Sequence, residues 1–214
     1  MIRAALFDMD GLLLDSERIY GESALYAAQK LGYTITWEMV VACIGKNDVD
    51  TNAYFARTNP GLDGEAMNRA RDEFLKAGGY IEVMPLKPYA AEILQHLTAR
   101  GIRCAVVTST VRALAEPHLR IPGLLPYFEQ VVTGDQIARG KPAPDGYLKA
   151  IEMLSVRPEE CAVLEDSYNG LRAGRAAGAM TIMVPDLLPC TEEIRPCCDH
   201  VVSSLREAEA IICR

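Results

Sequence analysis

Two carboxylates at a fixed spacing carry the first chemical signal in the chain. Asp8 and Asp10, within Phe7-Asp8-Met9-Asp10-Gly11, follow directly on the mostly apolar run of residues 2–7. Such a run suits an interior strand of a parallel sheet covered on both faces. In open α/β sheets ligands bind outside the carboxyl ends of the strands, so acids placed there face a substrate crevice. Gly11 lets the chain turn sharply away. Hard carboxylate oxygens in that position have the layout of a metal-assisted phosphoryl-transfer site. Asp and Gly after a strand are also ordinary turn residues, so the pair gains meaning only alongside other polar groups at strand ends.

Three further stretches place polar groups in comparable positions. Cys104-Ala105-Val106-Val107 runs into Thr108-Ser109, and Ala162-Val163-Leu164 runs into Glu165-Asp166-Ser167. Between them Gly140-Lys141-Pro142-Ala143-Pro144-Asp145 presents a lysine in a turn framed by prolines. Each also suits structural work: Thr108 and Ser109 as caps of a helix starting near Val111, Lys141 as a solvated turn residue, Asp166 as a cap for the helix around Asn169-Gly170. Jointly they would converge on the switch point of one sheet, which no set of independent caps requires.

In this order the four stretches resemble the motifs of the haloacid dehalogenase-like hydrolases, and the resemblance spans nearly the whole chain. It is closest to members with a small helical cap inserted straight after the first motif, such as sugar-phosphate phosphatases, pseudouridine-phosphate phosphatases and β-phosphoglucomutase. The resemblance implies Asp8 as nucleophile, forming an aspartyl phosphate, and Asp10 as general acid to the leaving oxygen and then base to water. It implies Mg2+ held by the Asp8 carboxylate, the Asp10 main-chain carbonyl and Asp166, with Glu165 binding directly or through water. The phosphate would be held by the Thr108 hydroxyl, the Ser109 amide and Lys141. A carboxylate approaching a phosphate ester is an anion approaching an anion, so such cancelling of charge is a physical requirement. Substrate choice would fall to cap residues, with Glu17, Tyr20, Lys46 and Asn47 as candidates.

The expected activity is therefore Mg-dependent hydrolysis of a small phosphorylated metabolite, a sugar phosphate or a nucleotide-like monophosphate. A β-phosphoglucomutase-type phosphotransferase shares every core residue. The mutase, however, carries a His shortly after the first motif and an Arg in a cap loop, where this chain has Tyr20 and Gly45-Lys46-Asn47-Asp48. A phosphoacceptor signalling module is more distant, because the acids follow the first strand as Asp-x-Asp and the next strand ends in Thr108. A dehalogenase or phosphonate-cleaving relative would not need the Asp10 acid.

The elements that must position these groups follow from periodicity. Strands are expected at 2–7, 103–108, 130–133, 162–165, 180–184 and 200–202 with helices between, which predicts an α/β doubly wound parallel sheet, Rossmann-like in its core. Residues 16–80 read as helix after helix: Tyr20, Ala24, Ala27, Ala28 and Leu31 at helical spacing, capped by Asp15 or Ser16 and stopped by Gly32, then 37–42, 49–57 and 65–76. The expected domains are a core of 1–15 plus 81–214 and an all-helical cap of 16–80, with hinges near 14–16 and 78–85. Pro88 is expected at the first position of a helix closed by Gly101, and His96 and His118 on helix surfaces.

Composition narrows the partners. With 214 residues, half of them hydrophobic, the chain can bury a real core. A net charge of -7 disfavours nucleic acid, which is bound by clustered Lys and Arg. No apolar stretch reaches spanning length, so a cytoplasmic protein without membrane contact is expected. Its partner is expected to be a small phosphorylated metabolite, and its state a monomer or weak homodimer. The 7 cysteines, some within apolar strands, read as reduced thiols. Cys190, Cys197, Cys198 and His200 lack the paired spacing of a zinc knuckle.

Overall fold

The apolar runs form strands, and the strands form one sheet. The computed structural model describes residues 1–44, 48–81 and 83–214. Its strands are β1 Ala4–Phe7, β2 Arg103–Val107, β3 Gln130–Val132, β4 Cys161–Glu165, β5 Met180–Met183 and β6 His200–Val201. They lie in the order β3-β2-β1-β4-β5-β6, and every pairing is parallel. β1 is therefore central, and the winding reverses between β1 and β4, which creates a crevice at their carboxyl ends.

Two compact units divide the chain, Met1–Leu14 with Leu86–Arg214, and Asp15–Pro85. In the first, side chains alternate between the two faces of the sheet. Ala4, Leu6, Ala105, Val107, Cys161 and Val163 share one core with Tyr147, Ala150 and Ile151 of helix α7 (Asp145–Met153) and Ala173 of α8 (Tyr168–Ala176). The remaining helices of this unit are α5 (Ala90–Ala99), α6 (Arg112–Arg120) and α9 (Leu205–Ile212). α5 does not begin at Pro88. Tyr89 takes a left-handed N-cap conformation with φ 70, and the helix starts at Ala90. The Tyr89 hydroxyl donates to Glu209 of α9 at 2.8 Å, a tertiary contact that fixes this start. Gly101 ends the helix at φ 75. His118 is likewise not a surface residue, being 6% exposed, because it lies with Ala115 and Leu119 on the inward face of α6. His96 is exposed beside Glu209.

The second unit is helical, comprising α1 Ser16–Lys30, α2 Trp37–Val41, α3 Asp48–Thr58 and α4 Gly64–Ala77. Ala24, Ala27 and Ala28 of α1 share a core with Phe55, Met67 and Ala70. Asp15 is the N-cap of α1, without a side-chain capping bond, and Gly32 follows its end at φ 79. No helix among the described residues is long and apolar enough to cross a membrane.

Candidate active site

The candidate acids and Thr108 sit where a strand of the sheet gives out, and Lys141 lies in the loop between β3 and α7. Asp8 continues the ladder one residue beyond β1, its amide donating to the Leu164 carbonyl at 3.1 Å. The chain then folds back on itself: Gly11, at φ 80, donates to the Leu14 carbonyl at 2.9 Å, and the Leu14 amide reaches the Met9 carbonyl at 3.0 Å. A residue with a Cβ would be strained at that angle, so Gly11 is what lets Asp10 leave the strand within two residues of Asp8. Thr108 extends β2 in the same way, donating to the Val132 carbonyl at 3.0 Å. Glu165 ends β4, and Asp166 follows it.

Lys141 ties these ends together. Its ammonium donates to Asp8 Oδ1, to Glu165 Oε1 at 2.6 Å and to the Val107 carbonyl at 3.0 Å, using all three of its donors. It is a buried ion-pair partner and not a solvated turn lysine. The other structural readings also give way: Val111, not Thr108 or Ser109, is the N-cap of α6, and Ser167, not Asp166, caps α8 by accepting from the Gly170 amide. Glu165 receives four donors, Lys141 and the Tyr147 hydroxyl (2.6 Å) on Oε1, and the Ser167 hydroxyl (2.9 Å) and amide (3.3 Å) on Oε2. α8 approaches closely because its third residue is Gly170, where a Cβ would overlap the Glu165 carboxylate.

Burial sets the electrostatics. It pushes the Asp8 carboxyl well above the usual carboxylate range, against the pull of Lys141. Burial alone would lower Lys141, but the Asp8 and Glu165 carboxylates outweigh it and hold the ammonium above its ordinary value. The two directions compete within one contact; Lys141 is the fixed charge of the pair, because Glu165 holds it independently of Asp8. Burial, with the Glu165 and Asp8 carboxylates, also keeps the Tyr147 phenol protonated and therefore a donor.

Oxygen atoms of Asp8, Glu165 and Asp166 lie within 4.8 Å of one another, and all three residues are buried. Three buried carboxyl groups bring more negative charge than the one ammonium of Lys141 supplies. Hard oxygen donors in that number suit a divalent cation such as Mg2+. Asp10 lies close by, its Oδ2 accepting from the Thr110 hydroxyl at 2.8 Å and from that of Thr108 at 3.4 Å. Ser109 is exposed on the same loop. The structure thus brings together Asp8, Lys141, Glu165 and Asp166, with Asp10 and Thr108 beside each other. Glu17 and Tyr20 lie half-buried on α1 in the other unit, and Lys46 and Asn47 fall outside the described residues.

Three contributors escape a reading of the sequence. Tyr147 stands six residues after Lys141 on the inward face of α7, where its spacing with Ala150 and Ile151 signals only a core position. Thr110, two residues after Thr108, looks like a loop residue, and Ser167 looks like a helix cap alone.

Comparison with known proteins identifies the family. The family model for haloacid dehalogenase-like hydrolases matches residues 2–178. Hexitol phosphatase A of Escherichia coli is 36% identical over 205 residues, covering 94% of this chain and 91% of that protein. The phosphorylated carbohydrates phosphatase of Thermotoga maritima is 32% identical over 177 residues, covering 83% of this chain and 82% of its own. The crystal structure of CbbY from Rhodobacter sphaeroides in complex with phosphate superposes with a TM-score of 0.75 at 29% identity, over 95% of each chain. The Asp-x-Asp after β1, the buried Lys141 and the paired acids at the end of β4 all fall within the matched span: this chain belongs to the haloacid dehalogenase-like hydrolases.

Proposed function

We propose that this protein is a Mg2+-dependent phosphatase that hydrolyses a small phosphorylated metabolite, a sugar phosphate or nucleotide-like monophosphate, through a covalent intermediate on Asp8. The observation that carries the reading is the buried meeting of Asp8, Lys141, Glu165 and Asp166 at the switch point of the sheet. Relatives named for phosphorylated carbohydrates and hexitol phosphates support the substrate class.

The Asp8 and Asp166 carboxylates and the Asp10 carbonyl would hold magnesium. Its bound charge would offset the repulsion between carboxylate and phosphate. Glu165, with donors already on both oxygens, would meet the ion through water and serve chiefly to fix Lys141. An oxygen of Asp8 attacks phosphorus as the ester P–O bond breaks, and Asp10 gives its proton to the departing oxygen, which leaves as an alcohol. Asp10, now a carboxylate, takes a proton from water. That water's oxygen bonds to phosphorus, the bond to Asp8 breaks, and phosphate leaves with Asp8 and Asp10 restored. Lys141, the Thr108 hydroxyl and the Ser109 amide hold the phosphoryl oxygens as charge shifts among them.

The test is phosphate release from a panel of sugar phosphates, hexitol phosphates, nucleoside monophosphates and pseudouridine 5′-phosphate, with and without Mg2+. At least one is expected to be hydrolysed, only with the metal present. Asp8→Asn should abolish turnover with the fold intact, since an amide keeps the shape but cannot attack phosphorus. No release from any member overturns the phosphatase reading. So does rapid, stoichiometric conversion of β-glucose 1-phosphate with a trace of the 1,6-bisphosphate into glucose 6-phosphate, the mutase outcome.

A further inference from the structure

The loop after β2 also reaches the second acid of the Asp-x-Asp pair. Thr110 donates its hydroxyl to Asp10 Oδ2 at 2.8 Å, and the Thr108 hydroxyl reaches the same oxygen at 3.4 Å. Thr110 is itself held at both ends of its backbone. Its amide donates to Thr108 Oγ1 at 3.0 Å, and its carbonyl accepts from the Gly134 amide at 3.1 Å. Gly134 comes this close because it has no side chain: a Cβ there would overlap the Ser109 carbonyl. The Thr110 hydroxyl therefore holds Asp10 Oδ2 from a fixed origin, and with the shorter of the two contacts.

From this geometry we infer that Thr110 is a positioning residue for Asp10, orienting the carboxyl that passes a proton to the leaving oxygen. The inference rests on the phosphatase reading above. It makes residues 108–110 a ruler: Thr108 and Ser109 face the phosphoryl group while Thr110 sets the proton donor, so one rigid turn fixes the distance between the two. Correct placement of an acid is worth up to a few orders of magnitude when the leaving group needs its proton, and little when it does not. An alkoxide needs the proton. p-Nitrophenolate, a stable anion at neutral pH, does not.

The experiment compares sorbitol 6-phosphate with p-nitrophenyl phosphate as substrates of the full chain with Mg2+, for Thr110→Val, Thr110→Ser and the reference Asp10→Asn. Thr110→Val should lower kcat on sorbitol 6-phosphate about 10- to 100-fold but only about 3-fold on p-nitrophenyl phosphate, with KM little changed. Thr110→Ser, which keeps the hydroxyl, should recover most of the loss. Asp10→Asn should show the same selectivity more strongly. If Asp10→Asn is selective and Thr110→Val costs both esters equally or neither, Thr110 does not position the acid. If Asp10→Asn itself costs both esters equally, the acid role of Asp10 falls first and the inference with it. If sorbitol 6-phosphate is not turned over, the best-hydrolysed alkyl phosphate of the panel takes its place in the comparison; failure of the unaltered protein to hydrolyse any of these esters overturns both.

Discussion

Lys141 and Glu165 form an ion pair of 2.6 Å in which the glutamate side chain is wholly buried. Glu165 ends β4 while Lys141 lies in the loop between β3 and α7, and Glu165 is held further by Tyr147 and Ser167. Lys141 is thereby fixed before it touches Asp8. An ammonium anchored by a second carboxylate does not have to be reorganised when a phosphoryl group arrives, which is the condition for electrostatic stabilisation without cost at the moment of reaction.

Removing that charge leaves Asp8 and Glu165 facing one another in a buried site. Lys141→Met keeps most of the side-chain volume and is expected to destabilise the fold by about 3–5 kcal/mol, the range for breaking a buried ion pair from one side. Urea unfolding in the presence of a chelator measures it. A loss below about 1 kcal/mol would mean that the carboxyls are neutralised in some other way.

Metal binding should appear as stability without any substrate. A ligand bound only by the folded state at a hundred times its Kd stabilises by about 2.7 kcal/mol, so Mg2+ should raise the unfolding temperature where Na+ at equal ionic strength does not. Asp166→Ala should remove most of this shift and raise the Mg2+ needed for turnover. A magnesium titration unchanged in Asp166→Ala would take Asp166 out of the ligand set.

The sheet was legible because buried parallel strands are unbroken apolar runs. All five residues of Cys161–Glu165 are buried, and Glu165 stood out only by ending such a run. The Asp-x-Asp pair and Asp166 were legible because their places follow from strand ends, and Lys141 because prolines frame its turn. What escaped depends on contacts between distant residues. Tyr147 meets Glu165 across 18 positions, Thr110 meets Asp10 across 100, and the start of α5 is fixed by Tyr89 bonding to Glu209 across 120. His118 escaped for a different reason: in the short helix Arg112–Arg120, the inward face comprises Ala115, His118 and Leu119, too few apolar residues to reveal a pattern.

Gly170 should resist the substitution that helices usually welcome. Alanine within a helix commonly gains up to about 1 kcal/mol over glycine, but here the added methyl would overlap the Glu165 carboxylate. Gly170→Ala is expected to cost about 1–3 kcal/mol, as overpacking does. Activity should fall with it, because Glu165 can move only by releasing Lys141 or Tyr147. A stabilised and fully active Gly170→Ala protein would show that α8 yields or that Glu165 does not need its place.

The strand thiols give a prediction that depends on pH. Burial raises Cys104 to about 12, with the Glu129 carboxylate adding to it, and raises Cys161 to about 11, both from an ordinary 9.0. Only the thiolate reacts with iodoacetamide. At pH 8 in the native state, mass spectrometry should therefore find the exposed Cys213 alkylated first and Cys104 and Cys161 unmodified. The sign for stability follows from the same shift. Folding favours the protonated thiols, so their contribution is fully present below about pH 9 and is lost as the pH rises through the unfolded value toward the folded ones. Urea midpoints should thus decline from about pH 9 upward, and less steeply in Cys104→Ala once its own loss at pH 7 is subtracted. Early labelling of Cys104 at pH 8 would mean that β2 opens locally, and would contradict a rigid platform for Thr108.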